Sequence, residues 1–259
     1  MYGWRARIGV LLPTNNTVLE PEFGKLRPEG VTCHITRMIS STSGHGSIKG
    51  LNNMVNHSVD KAIEELSITG VDVFAYACLS TSLVVADWQQ RLQDKIACFS
   101  KVPAVSAFTA MISALYFIKA KKVSVLCPYG DELVNKVSDA FNAYDISAAR
   151  IESLNVTGLR DVCNVSLPEI YRTARKIDMS DSDALCILAT DLATLPLTTV
   201  LEQDLEKPVV STNLALMWAS LLLAGITPHI SGAGQLMEMM KDVDAAKESL
   251  HKLGCSVHC

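Results

Sequence analysis

The sequence predicts an α/β protein of two related Rossmann-like halves, each a parallel sheet flanked by helices, and three observations carry that expectation. Apolar runs of strand length alternate with helix-period segments along the chain. Several strand segments, among them IGVLL, VFAYA and ALCILA, are apolar throughout instead of alternating with polar residues, which marks a parallel sheet covered on both faces. Three segments of the first half also recur, in the same order, in the second.

Strands are expected at 7–12, 31–38, 71–77, 104–105, 123–127, 148–154, 184–189 and 209–210. Helices are expected at about 55–68, 88–95, 108–118, 132–143, 167–176, 195–203, 214–224 and 235–253. Strands separated by helices in this way give a doubly wound sheet. RIGVLLPTNNTVLE from Arg7 pairs with KVSVLCPYGDELVN from Lys122, each a strand, a proline, a polar turn and a helix. DVFAYACLSTSL from Asp72 pairs with DALCILATDLATL from Asp183, and VPAVSAFTAMISALYFI from Val102 with KPVVSTNLALMWASLLLAG from Lys207.

One such match would mean little, because βα units resemble each other; three in order indicate duplication of a whole half, a period too long for a solenoid. The halves are expected at 1–108 plus 213–259 and at 109–212, with the tail returning to pack on the first. No Pro/Gly/Ser-rich linker divides them, so close docking is expected. SGHGSIKG, 43–50, is the clearest flexible loop.

The composition is globular, 49% hydrophobic and 19% charged. The net charge of −4 is spread along the chain, and no basic stripe points to nucleic acid. The apolar run after the N-terminus stops at Pro13, too short for a signal peptide. No segment reaches the roughly 18 apolar residues that a membrane helix needs. A cytoplasmic protein is therefore expected. The apolar 214–224 helix with Trp218 would serve a dimer interface or the core, and a homo-oligomer, dimer or tetramer, is expected. The eight cysteines sit singly, without CxxC or Cys/His spacing, so free thiols in a reducing compartment and no metal are expected. The glycines form neither GxGxxG nor a P-loop, and no cofactor is expected.

Ligands of open parallel sheets bind beyond the carboxyl ends of the strands. The repeated segments supply four such ends: PTNNT from Pro13, CLSTS from Cys78, PYGD from Pro128 and ATDLAT from Ala189. If a pseudo-twofold axis relates the halves, these loops share one cleft. Cys78 ends a buried strand before a turn rich in hydroxyls. A helix opening there would lower its thiol pKa and favour anions, as suits a nucleophile; the alternative is a small buried hydrophobe, the role assigned to the other seven cysteines. Asp131 and Asp191 are candidates for an acid–base pair or for helix caps. His45 is a candidate to close over the cleft or to sit in solvent. His34, His57, His229, His251 and His258 share no metal-ligand spacing.

GVLLPTNNTVLEPEF, AYACLSTS, VLCPYGDELVNK and ATDLATLPL resemble the signature loops of the aspartate/glutamate racemase superfamily, in the branch of maleate cis-trans isomerase and arylmalonate decarboxylase. The resemblance runs from about Arg7 to Gly225. It implies two cysteines facing each other across the substrate, the first matching Cys78 and the second Ala189, the two positions that the internal repeat also pairs. An alanine has no ionisable group. Either the cysteine was deliberately replaced to trap a ligand, which the intact loop around it favours, or the natural protein works with one thiol. In the decarboxylase the first position is glycine and the second holds the cysteine, the reverse of this chain.

The resemblance further implies that Asn16 and Tyr129 bind a substrate carboxylate from the two halves, and that Ser80, Thr81 and Thr190 hold carboxylate oxygens. Hydroxyl and amide donors stabilise a carboxylate, or the enediolate formed from it, without adding a cation. Capping and turn roles are the alternatives for Asn16, Ser80, Thr81 and Thr190, and a half-buried tyrosine with a satisfied hydroxyl for Tyr129. A further substrate-contacting asparagine of the isomerases falls on Gly158, in LNVTGLRDV, with Asn155 out of register.

The function expected is a cofactor-independent isomerase, cis-trans or racemising, of a small carboxylate or dicarboxylate such as maleate. The alternatives are a one-cysteine decarboxylase or lyase of malonate-type substrates and a non-catalytic small-molecule-binding protein.

Overall fold

The computed structural model describes residues 1–39, 47–158, 160–238 and 242–255. All eight expected strands form: β1 (Ala6–Pro13), β2 (Val31–Met38), β3 (Val73–Tyr76), β4 (Ala104–Ser106), β5 (Lys122–Cys127), β6 (Ser147–Ser153), β7 (Ala184–Ile187) and β8 (Val209–Ser211). They build two four-stranded parallel sheets with one topology, β2-β1-β3-β4 and β6-β5-β7-β8.

The duplication holds at the level of single residues. Ile8 pairs with Val73 in the first sheet where Val123 pairs with Ala184 in the second. Phe74 pairs with Ala104 where Leu185 pairs with Val209. These are the pairings that the three sequence alignments require. Even the ladder ends repeat: Asp72 accepts from the Arg7 amide at 2.7 Å, and Asp183 from the Lys122 amide at 2.8 Å.

The helices are α1 (Leu19–Leu26), α2 (Ile48–His57), α3 (Val59–Thr69), α4 (Leu79–Val84), α5 (Trp88–Ala97), α6 (Ala107–Phe117), α7 (Asp131–Asn142), α8 (Leu167–Ile177), α9 (Thr198–Leu205), α10 (Thr212–Leu223), α11 (Gln235–Glu238) and α12 (Val243–His251). Two expectations need correction. The helix expected at 55–68 is two helices meeting at Ser58, whose amide closes α2 on the Met54 carbonyl at 2.9 Å while its side chain gives α3 no cap. The helix expected at 235–253 is α11 and α12, the second started by Asp242, whose carboxylate accepts from the Ala245 amide at 2.9 Å. Of the two readings open for 214–224, interface or core, the core one holds: every residue of α10 is buried, with Trp218 stacked at a tilt on Phe117 at 5.6 Å.

Helix α10 leaves the second sheet after β8 and packs against β3 and β4 of the first, as well as against α6. Residues 43–46 of the expected flexible loop, with His45, His258 and Cys259, lie outside the described residues. Among the described residues no helix is long and apolar enough to cross a membrane, and no group of three or more His, Cys, Asp or Glu is placed to hold a metal ion.

Candidate active site

The loops after β1, β3 and β7 are tied together by side chains that cross between the halves. Asn16, buried after β1, uses both ends of its amide. Its Oδ1 accepts from the Val18 and Leu19 amides at 2.9 and 3.0 Å, which caps α1, and its Nδ2 donates to Thr190 Oγ1 in the other half at 3.1 Å. Thr190 Oγ1 in turn donates to the Ala77 carbonyl at 2.9 Å, one residue before Cys78. Asn15 Nδ2 lies 3.4 Å from Asp191 Oδ2.

Cys78 stands at the start of α4, 6% exposed, with Sγ 3.5 Å from Ser80 Oγ. Thr81 joins its hydroxyl to Tyr76 Oη at 2.9 Å and also hydrogen-bonds the sulfur. The expected low thiol pKa does not follow. Burial pushes the Cys78 thiol up and outweighs the hydrogen bonds of Ser80 and Thr81, with the Asp191 charge adding to the rise. Helix α4 has only six residues, so little dipole opposes that burial. Cys78 therefore rests as a thiol.

Ala189 occupies the pseudo-equivalent position, also buried, but with φ of +88° against −142° at Cys78. That left-handed backbone suits glycine and strains an alanine. No helix follows β7 directly; 190–192 form a turn, and the next helical residues are Leu195–Leu197. The capping role open to Thr190 and Asp191 is thereby removed. Asp131 lies exposed in the first turn of α7, which Gly130 caps, so it forms no pair with the buried Asp191.

Tyr129, from the loop after β5, is fully buried instead of half-buried, and its hydroxyl has no hydrogen-bond partner among the described residues. Burial raises its pKa well above 10, and Cys127, Asp191 and Cys78 add to the rise, which places the phenol within electrostatic reach of both loop residues. A buried hydroxyl without a partner costs stability unless a ligand completes it. Asn155 is exposed at φ +47°, and a Cβ at Gly158 would meet only the carboxylate end of the exposed Asp161 side chain, which would have to shift.

Sequence reasoning missed one buried carboxylate. Glu22 of α1 accepts from the Thr194 and Leu195 amides at 2.7 and 2.8 Å and from Asn213 Nδ2 at 2.6 Å, while Asn213 also donates to the Thr190 carbonyl at 3.0 Å. It clamps the second-half loop onto the first-half helix. An acid in the first turn of a helix looks like an ordinary dipole partner, so only the fold reveals it. Cys163 also departs from a pure packing role: half-buried, it donates to the Asn15 carbonyl at 3.5 Å and borders this cluster. Cys33 and Cys127 are pushed up to about 11 and Cys255 to about 12 by burial, as inert thiols are.

Known proteins are similar to this chain over most of its length. The maleate isomerase of Pseudomonas putida is 27% identical over 250 residues, covering 89% of this chain and 96% of that protein. The solved structure of a cysteine-to-serine variant of Nocardia farcinica maleate cis-trans isomerase, with a covalently bound succinylcysteine intermediate, superposes with a TM-score of 0.84 at 25% identity, covering 90% and 98% of the two chains. Arylmalonate decarboxylase of Bordetella bronchiseptica is 22% identical over 233 residues, 82% of this chain and 91% of that one. The family described as arylmalonate decarboxylase matches residues 8–237. Paired sheets of one topology, loops knitted across their seam and a match over nearly the whole length lead to one assignment: the chain belongs to the arylmalonate decarboxylase family.

Proposed function

We propose that the chain is a cofactor-independent cis-trans isomerase of a small dicarboxylate of the maleate type, working through the Cys78 sulfur in a reducing, cytoplasmic setting. The observation that carries the reading is the buried Tyr129 hydroxyl, left without a partner among the described residues and within electrostatic reach of Cys78. A carboxylate seated there would accept from that phenol. The likeness to maleate isomerases, above that to the decarboxylase, favours an alkene substrate.

The Cys78 thiolate adds to one alkene carbon, and the electron pair displaced from the double bond passes into the adjoining carboxylate as an enediolate. Protonation gives a succinyl-like thioether; rotation about the new single bond, loss of the same proton and expulsion of the thiolate release the trans isomer. Asn16, Tyr129, Ser80 and Thr81, with the backbone amides after Cys78 and Ala189, are the proposed carboxylate-binding donors. A one-cysteine decarboxylase is the second reading, favoured by the missing ionisable group at Ala189.

The test is rapid quenching of the chain with maleate, followed by peptide mass mapping. An adduct of one maleate on Cys78, absent in Cys78→Ala, is expected. Carbon dioxide release from an arylmalonate with no adduct would replace this reading with the decarboxylase.

A further inference from the structure

In the repeat that pairs Asp72 with Asp183, Cys78 falls on Ala189 and Ser80 falls on Asp191. The first half thus carries a thiol followed two residues later by a hydroxyl. The second carries a methyl group followed two residues later by a carboxyl. Asp191 is 5% exposed, sits in a turn that caps no helix, and meets the first half through Asn15 Nδ2 at 3.4 Å. Its neighbour Thr190 is bonded to Ala77, so the turn is held against the residue before Cys78.

We infer that Asp191 is the catalytic proton carrier of the second half, doing from two residues along the loop what a thiol at position 189 would do. The inference rests on the isomerase reading. The Asp191 carboxylate takes the proton of the Cys78 thiol, and the thiolate so formed adds to one alkene carbon. The Asp191 carboxylic acid then gives that proton to the neighbouring carbon as the enediolate collapses. Thiol and alkene have added across the double bond, with Asp191 back as a carboxylate. After rotation Asp191 removes the proton, the carbon–sulfur bond breaks, and the proton returns to sulfur. No proton or electron is gained or lost. Asp191 is neutral while the enediolate exists, so it does not repel the negative charge building on the substrate.

Electrostatics agree with the placement: the raised thiol pKa of Cys78 comes first from burial and then in part from Asp191, and the same charge bears on Tyr129. Among the described residues the other titratable groups that act on the sulfur are Tyr76 and Tyr129, both held neutral by burial, and Cys127 acts on Tyr129. Arg37 and Glu20 pair with each other on the far side of Asn16, and Cys163 lies against Asn15.

The experiment compares the unaltered chain with Asp191→Asn, Asp191→Glu and the double variant Asp191→Asn/Ala189→Cys. Two readouts are taken: maleate isomerisation by proton NMR, and the rate of Cys78 alkylation by iodoacetamide against pH, mapped by mass spectrometry. Asp191→Asn is expected to lower isomerisation by about 100-fold or more, while Cys78 alkylates about threefold or more faster at neutral pH because a neighbouring negative charge is gone. A structural role would not move the two readouts in opposite directions. Asp191→Glu retains part of the rate, and the double variant regains activity. Isomerisation by Asp191→Asn at the unaltered rate, or an unchanged alkylation profile, overturns the inference. If the unaltered chain leaves maleate untouched, the isomerase reading fails by itself, and the alkylation profile still decides whether Asp191 acts on Cys78.

Discussion

Thr190 Oγ1 donates to the carbonyl oxygen of Ala77 at 2.9 Å, so the residue after Ala189 is fastened to the residue before Cys78. The same oxygen accepts from Asn16 Nδ2 at 3.1 Å. One hydroxyl therefore joins three of the four loops that the repeated segments supply, and its proton is already committed. Its part in the site is to fix the distance between the two walls.

Replacing Thr190 by valine keeps the shape and removes that junction. A buried carbonyl and a buried amide then lack a partner, which costs about 1–3 kcal/mol. Urea unfolding should show that loss. Turnover should fall together with stability, because the wall opposite Cys78 is no longer fixed.

Tyr129→Phe is expected to behave in the opposite way. Its hydroxyl has no partner among the described residues, so deletion leaves stability unchanged or slightly raised. If the phenol binds a substrate carboxylate, KM rises by about 10- to 100-fold, the worth of one hydrogen bond to a charged group. An unchanged KM would remove Tyr129 from the site.

Glu22 predicts a pH dependence. Its carboxyl loses a proton near the ordinary 4.5 in the unfolded chain and at higher pH in the fold, because burial outweighs its hydrogen bonds to Asn213, Leu195 and Thr194. Between those two points the folded chain holds the extra proton, so stability from this group is full below about 4.5 and is lost as pH rises toward the folded value. Urea midpoints measured across that window should fall with pH in the unaltered chain and flatten in Glu22→Gln.

Ala189→Gly should stabilise the fold by up to about 1 kcal/mol, because glycine adopts the +88° φ at that position without strain. A midpoint shift of matching sign in the same unfolding experiment checks it. Destabilisation would show that the alanine methyl group is packed well enough to outweigh the backbone.

Much of this was legible in the residues. The repeats set the ladder pairings, since Ile8 with Val73 and Val123 with Ala184 follow from aligning Arg7 with Lys122 and Asp72 with Asp183. Position 78 stood out because a thiol closed a wholly apolar strand. What stayed hidden depends on distances between halves. Helices α1 and α4 span eight and six residues, too short for their own periodicity to show, so the repeat and the turn after Cys78 pointed to them without giving their bounds. Helix α2 was masked by the glycines ahead of it. The clamp by Glu22 joins residues far apart in the chain, and no local pattern marks such a partner. The rise in the Cys78 pKa likewise follows from burial on all sides, which a motif does not reveal.

The central claim is that the Cys78 sulfur performs the chemistry between two loop walls. The most direct measurement is conversion of maleate to fumarate, followed by proton NMR, for the unaltered chain beside Cys78→Ser. The serine variant keeps the size of the side chain and its contact with Ser80 but lacks a usable nucleophile. The account predicts conversion by the first and none by the second; conversion at equal rates by both would contradict it.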